Sequence, residues 1–151
     1  MLKRPFMLWP LLVVLLLHSV GGFMGAIPML ADPANGGYLD FGDLLPLLPV
    51  SSFLLPGLFL LSFMGLLPLV LIYGLIVRPA WSWVDKLFNW SNHHWAWIGT
   101  ILLAAGTAIW LIYEGWLVGW WPITIITAVQ GGIILLIALI PNVRKFYKTD
   151  K

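Results

Sequence analysis

Four polar side chains interrupt long apolar stretches of the sequence, and these are the residues whose types could carry chemistry. His18 and Glu114 are ionisable, whereas Thr107 and Gln130 offer a hydroxyl and an amide. Ionisable residues inside apolar segments mark candidate ligand sites or proton pathways, because burying them is costly. The same polar groups also join neighbouring helices by hydrogen bonds, which is the alternative role for each of them.

These residues differ in how deep they lie in their apolar stretches. At 1.5 Å per residue, His18 lies roughly 18 Å into the first stretch, near the middle of a bilayer. Gln130 lies roughly 10 Å into the last stretch, and Thr107 falls at a comparable level. Glu114 stands two residues before Trp116, near the end of its stretch, where a carboxylate can also reach water. We expect His18 to hydrogen-bond Gln130 or Thr107.

No catalytic constellation, phosphate-binding loop or metal motif accompanies these residues. The chain contains no cysteine, and adjacent histidines such as His93 and His94 point about 100° apart on a helix. Haem held between two helices needs two histidines at matching depth, and His18 has no such partner. We therefore predict no catalytic residue, no metal site and no cofactor, and a protein that is not an enzyme.

The apolar stretches that position these residues are long enough to cross a membrane. Of 151 residues, 61% are hydrophobic and 9% are charged, and the mean hydropathy is +0.96. A soluble domain has about 25% charged residues, whereas a spanning helix needs roughly 20 apolar residues. We predict an all-α fold with a single domain over residues 1–151: a bundle of four transmembrane helices at about 6–30, 53–76, 95–117 and 123–140.

All eight lysine and arginine residues flank one side of this topology. They precede the first helix, lie between the second and third, or follow the fourth: Lys3, Arg4, Arg78, Lys86, Arg144, Lys145, Lys148 and Lys151. Short loops rich in Lys and Arg stay in the cytoplasm. We therefore predict a multi-pass protein of the cell (plasma) membrane, with both termini cytoplasmic and an extracytoplasmic first loop that carries Asp32, Asp40 and Asp43. Basic residues in this arrangement indicate membrane flanks and no nucleic-acid partner.

Small residues at helical spacing indicate where helices approach each other. Gly21 and Gly25 form a Gly-x-x-x-Gly pattern in the first helix, and such patterns let two helix backbones come close together. We predict a helix-packing seam at Gly21 and Gly25, either within the bundle or between subunits. The lipid bilayer is the expected surrounding, and other membrane protein subunits are a second class of partner.

A few short elements recur in a recognisable arrangement: Asp32-Pro33, Ser52-Phe53, Pro56-Gly57 and Gln130. With these elements the chain resembles a scattered group of short four-span prokaryotic integral membrane proteins of unknown function. The resemblance covers most of the chain. It implies the four-helix fold and no activity.

Two functional hypotheses follow from the sequence. The first is a non-enzymatic integral membrane protein that serves as an accessory or structural subunit of a larger membrane assembly. The alternative is a small carrier or receptor for a lipophilic or protonatable ligand, which would use His18, Gln130 and Glu114 beneath the first loop. Threonine and glutamine commonly join helices by hydrogen bonds, which favours the first hypothesis.

Overall fold

The computed structural model describes residues 3–88 and 90–149. In this part of the chain the regular structure is helical, with no strand and one isolated antiparallel bridge between His93 and Lys148. Six helices follow one another: α1 at Leu8–Ala31, α2 at Leu54–Val77, α3 at Ser82–Leu87, α4 at Trp95–Val118, α5 at Pro122–Leu139 and α6 at Pro141–Phe146.

Four of these helices, α1, α2, α4 and α5, are long and apolar enough to cross a membrane. The predicted all-α fold with a four-helix core is therefore confirmed, and the chain is a multi-pass membrane protein. Each end of the four helices lies within two residues of its predicted position. The two remaining helices are short and lie at the ends of the bundle, where they cannot span a bilayer.

The second spanning helix contains a π-helical segment at Leu60–Leu66. Two residues later comes Pro68, whose ring would clash with the carbonyl of Met64 in a regular α-helix. A π turn closes hydrogen bonds over five residues and so widens the helix at this point. The hydroxyl of Ser19 on α1 donates to the carbonyl of Gly65 at 2.7 Å, which ties the widened turn to α1.

The backbones of α1 and α2 meet at Gly22. A Cβ atom on Gly22 would lie 2.4–2.6 Å from backbone atoms of Met64 and Gly65, so a larger residue would force the helices apart. Gly21 has no atom within 4 Å of its Cβ position, and Gly25 meets only the end of a leucine side chain, at 3.0 Å. The prediction that α1 packs through Gly21 is therefore wrong within this chain. Adjacent residues on a helix point about 100° apart, so when Gly22 faces α2, Gly21 faces away from it.

The two ends of the bundle differ in charge, and we name them accordingly. The basic end carries the start of α1, the connection from α2 to α4 and the residues after α5; its described cations are Lys3, Arg4, Arg78, Lys86, Arg144, Lys145 and Lys148. The acidic end carries the α1–α2 loop, with Asp32, Asp40 and Asp43, and the short turn from α4 to α5. Two 3-10 turns, Gly37–Leu39 and Gly42–Leu47, order the α1–α2 loop.

Close packing is concentrated in the half of the bundle nearest the basic end. The buried apolar cluster is Leu8, Leu11, Leu12, Leu15, Leu71, Leu75, Val84, Trp95, Ala96, Trp97, Ile98, Leu103, Ala104, Ile134, Val143, Phe146 and Tyr147. This cluster has no member in residues 16–70 or 105–133, which include the acidic half of every span. The main apolar cluster therefore lies at one end, whereas in the acidic half the close contact is between α1 and α2 at Gly22.

Distant residues cap the end of α2 at the basic end. The carbonyl of Leu75 would normally bond the N–H four residues later, but that residue is Pro79, which has no N–H. Instead the Tyr147 hydroxyl donates to this carbonyl at 2.7 Å. Arg4 likewise donates through Nη2 to the carbonyl of Ile76 at 3.1 Å. Both bonds satisfy carbonyls that a helix end leaves free.

Candidate functional site

A cavity of about 420 Å³ lies in the acidic half of the bundle. Its wall is formed by the second half of α1, the first half of α2, the last turns of α4, the first turns of α5 and the α1–α2 loop. Most of the lining side chains are apolar. Small-molecule sites in proteins are typically apolar clefts of about 300–1,000 Å³ with a few placed polar groups. The cavity has the size and composition of such a site.

His18 is the cavity residue on α1 that lies furthest from the acidic end. Its side chain is only 2% exposed. Nε2 lies 3.4 Å from Oγ1 of Thr107, so the structure contains the hydrogen bond expected between them. Nδ1 is buried and has no hydrogen-bond partner among the described residues. A buried polar atom without a partner costs about 1–3 kcal/mol, and the Gln130 amide beside the ring is a group that can supply one.

Thr107 and Gln130 lie behind His18 and do not line the cavity. Gln130 stands beside the imidazole from α5 and is half-buried. Thr107 is buried against Gly131 of α5, whose Cβ position lies 3.4 Å from the threonine methyl group. The predicted site residues are thus divided, since His18 and Glu114 face the cavity whereas the other two support His18 from α4 and α5.

Glu114 lines the cavity nearer the acidic end. The hydroxyl of Thr124, which is fully buried, donates to Oε1 of Glu114 at 3.2 Å and joins α4 to α5. Thr107 and Glu114 are seven residues apart on α4, which corresponds to about 10 Å along the helix axis. His18 lies at the level of Thr107, so the two ionisable groups stand at different depths of one cavity.

Trp110 forms part of the cavity wall between these two levels. Its ring stacks on Phe59 of α2, with ring centroids 4.3 Å apart. Its indole N–H is buried, points toward the Glu114 carboxylate and stops short of a hydrogen bond within 3.5 Å. Trp110 is one helical turn from Glu114, so the cavity brings an aromatic ring, an indole N–H and a carboxylate close together on α4.

The α1–α2 loop covers the cavity at the acidic end, where Tyr38 and Phe41 are among its lining residues. The Tyr38 hydroxyl donates to the carbonyl of Met24, at 3.2 Å, which holds the loop against α1. Asp32 accepts hydrogen bonds from the side chain and backbone of Asn35, which hold the pKa of the Asp32 carboxyl below its usual value. These bonds order the loop over the cavity.

The two remaining histidines lie outside the cavity, at the basic end. His94 caps α4, since its Nδ1 accepts the N–H of Ala96 at 3.3 Å while Nε2 lies 3.3 Å from the carbonyl of Pro79. Burial lowers the pKa of His94. His93 stacks on Trp97, with ring centroids 4.4 Å apart. In residues 3–88 and 90–149, no three His, Cys, Asp or Glu side chains group so as to hold a metal ion.

Trp110, Thr124 and Tyr38 are among the cavity residues that the sequence did not predict. The one available signal concerned Trp110. Of the ten tryptophans, it alone lies well inside an apolar stretch, whereas indoles usually prefer the headgroup level. Thr124 and Tyr38 are placed by tertiary contacts that no local pattern indicates.

No protein-family model, no curated protein and no solved structure matches this chain. The resemblance to short four-span prokaryotic membrane proteins therefore stays a hypothesis. The function has to be argued from the geometry of the cavity.

Proposed function

We propose that the protein binds a lipophilic small molecule in the cavity at its acidic end, as a carrier or receptor. The observation that carries this proposal is that one apolar cavity of about 420 Å³ contains both ionisable residues of the spanning helices, His18 and Glu114. Buried ionisable groups in a membrane protein most often face a substrate or ion path. Binding sites share this combination of an apolar wall with a few polar groups.

The uneven packing of the bundle supports the same proposal. Protein interiors are close-packed, and a void deprives the atoms around it of dispersion contacts. The basic half meets this expectation, because its apolar side chains form one continuous cluster. The acidic half contains a cavity instead, with an unpaired nitrogen of His18 at its deeper level. A bound lipophilic molecule would fill the space and restore these dispersion contacts.

The orientation in the membrane is also a proposal. The distribution of Lys and Arg supports a plasma-membrane protein with cytoplasmic termini, so that the cavity opens toward the outer leaflet. The accessory-subunit hypothesis stays a prediction, since exposed apolar faces of spanning helices suit lipid as well as another subunit.

The proposal is tested by filling the cavity. Gly21 lines the cavity with no atom within 4 Å of its Cβ position, so Gly21→Phe adds a ring there without a clash at its root. Gly132 on α5 also has free space but does not line the cavity, so Gly132→Phe is a matched control. Native mass spectrometry of protein purified in mild detergent should show a co-purifying small molecule on the wild type and on Gly132→Phe.

The Gly21→Phe variant should lose most of this occupancy while it unfolds at a temperature close to that of the wild type. Equal occupancy in all three proteins, or no bound molecule on any of them, would contradict the proposal.

A further inference from the structure

We infer that the molecule bound in the cavity is a lipophilic cation, an amine or a quaternary onium ion, and that Glu114 is its counter-ion. The inference rests on the proposed function of the cavity. Beyond that function, it specifies that the ligand is positively charged and that Glu114 recognises the charge.

The carboxyl group of Glu114 has no positively charged partner among the described residues. Its hydrogen bond from Thr124, at 3.2 Å, comes from a neutral hydroxyl. The sequence contains no Lys or Arg in residues 5–77 or 87–143, and the described cations lie at the basic end. A half-buried carboxyl group in an apolar site is either protonated or paired with a positive charge. A cationic ligand would supply it.

The cavity that Glu114 lines also has an aromatic wall. Tyr38, Phe41, Trp110 and Trp121 line the same cavity. A cation is attracted to the face of an aromatic ring, and most strongly to tryptophan, when it lies within about 6 Å of the ring centre. Aromatic rings together with one carboxylate are the usual means by which proteins bind ammonium groups.

The loop over the cavity is negatively charged. The loop that covers the cavity carries Asp32, Asp40 and Asp43 and has no Lys or Arg. Negative charge around an opening raises the local concentration of cations and repels anions. His18 lies about 10 Å deeper than Glu114 in the same cavity.

Two ions of similar shape and opposite charge, tetraphenylphosphonium and tetraphenylborate, test this inference. Binding of each radiolabelled ion is measured by equilibrium dialysis against the protein in a non-ionic detergent. Each ion also partitions into the detergent, and this background is the same for all variants. Cavity-specific binding is therefore defined as the binding that is lost in Gly21→Phe and kept in Gly132→Phe. This cavity-specific binding should be at least about tenfold tighter for the phosphonium than for the borate, as expected for a charge-complementary site.

Variants at Glu114 identify the counter-ion. Glu114→Gln keeps the volume and can still accept from Thr124, so its thermal unfolding should stay close to that of the wild type. Its cavity-specific affinity for the phosphonium should fall at least about tenfold, with no fall for the borate. Glu114→Asp, which restores the charge, should recover part of the lost affinity.

The outcomes separate the inference from the proposed function. Cavity-specific binding of both ions with equal affinity, or binding that Glu114→Gln leaves unchanged, overturns the cation inference and leaves the cavity as a binding site. A neutral or anionic molecule that co-purifies in the cavity likewise overturns the cation inference and leaves the cavity as a binding site. If neither ion shows binding that Gly21→Phe abolishes, and no molecule co-purifies, the proposed function and the inference both fall.

Discussion

At the residue scale, the three histidines show how surroundings decide the role of a side chain. His18 lies in the apolar interior with one nitrogen bonded to Thr107 and the other unpaired. Both nitrogens of His94 contact backbone groups: Nδ1 accepts the N–H of Ala96 in the first turn of α4, and Nε2 lies beside the carbonyl of Pro79. His93 is half-exposed and lies near Arg144 and Lys148. The sequence shows three similar residues, whereas the structure separates one cavity residue from two at the basic end.

The basic-end histidines predict how stability depends on pH. Burial lowers the pKa of His94, and burial together with the positive charges of Arg144 and Lys148 lowers that of His93. Below pH 6.5, the ordinary pKa of histidine, the unfolded chain therefore binds protons more readily than the folded protein. Stability is fully present above pH 6.5 and decreases as the pH falls, which thermal unfolding in detergent from pH 7.5 to 5 should show.

The control for this prediction is His94→Asn. Asparagine caps helices well, with an effect of about 1 kcal/mol relative to alanine, and it does not titrate. This variant should lose less stability than the wild type over the same pH range. A pH profile identical to that of the wild type would show that His94 does not contribute.

At the scale of the elements, the sequence predicted the four spans closely because length, apolar content and turn residues act locally. It did not predict the π turn at Leu60–Leu66, which depends on Pro68 and on the contact of α2 with α1. It also predicted a close contact at Gly21 where the structure has Gly22. A Gly-x-x-x-Gly spacing indicates that another helix can approach closely on that face. The position of the neighbouring helix determines which glycine makes the contact.

Two matched alanine substitutions test the α1–α2 contact. Gly22→Ala would place a methyl group 2.4–2.6 Å from the backbone of α2, so the helices must separate. We expect a marked loss of stability, of about 1–3 kcal/mol as in other overpacked cores. Gly21→Ala meets no atom within 4 Å and should be neutral or stabilising by up to about 1 kcal/mol. Similar unfolding temperatures for the two variants would contradict this account.

At the scale of the whole molecule, the segregation of charge and the uneven packing follow the same axis. The positions of Lys and Arg were readable from the sequence, since they depend only on where the spans end. The cavity was not, because a void depends on how four helices and a loop pack together, and no single helix encodes it. The sequence placed His18, Glu114 and the loop in one region, and the structure supplied the space between them.

The charge segregation predicts which end of the bundle faces outward. The protein has no cysteine of its own, so a single introduced cysteine can be labelled selectively. In intact cells, Asn35→Cys at the acidic end should react with a membrane-impermeant thiol reagent, because this end is proposed to be outside. Asn92→Cys, at an exposed position of the basic end, should react only after the membrane is permeabilised. The opposite labelling pattern would reverse the proposed orientation.

The bond between Tyr147 and Leu75 also bears on how the chain is made. The two residues are 72 positions apart in the sequence, so α2 leaves the ribosome long before the hydroxyl that caps it. Until then the Leu75 carbonyl has no protein donor, because Pro79 cannot provide one. The contact of α1 with α2 at Gly22 needs only the first half of the chain. Biosynthesis therefore completes the acidic half of that helix pair early and closes the basic end last.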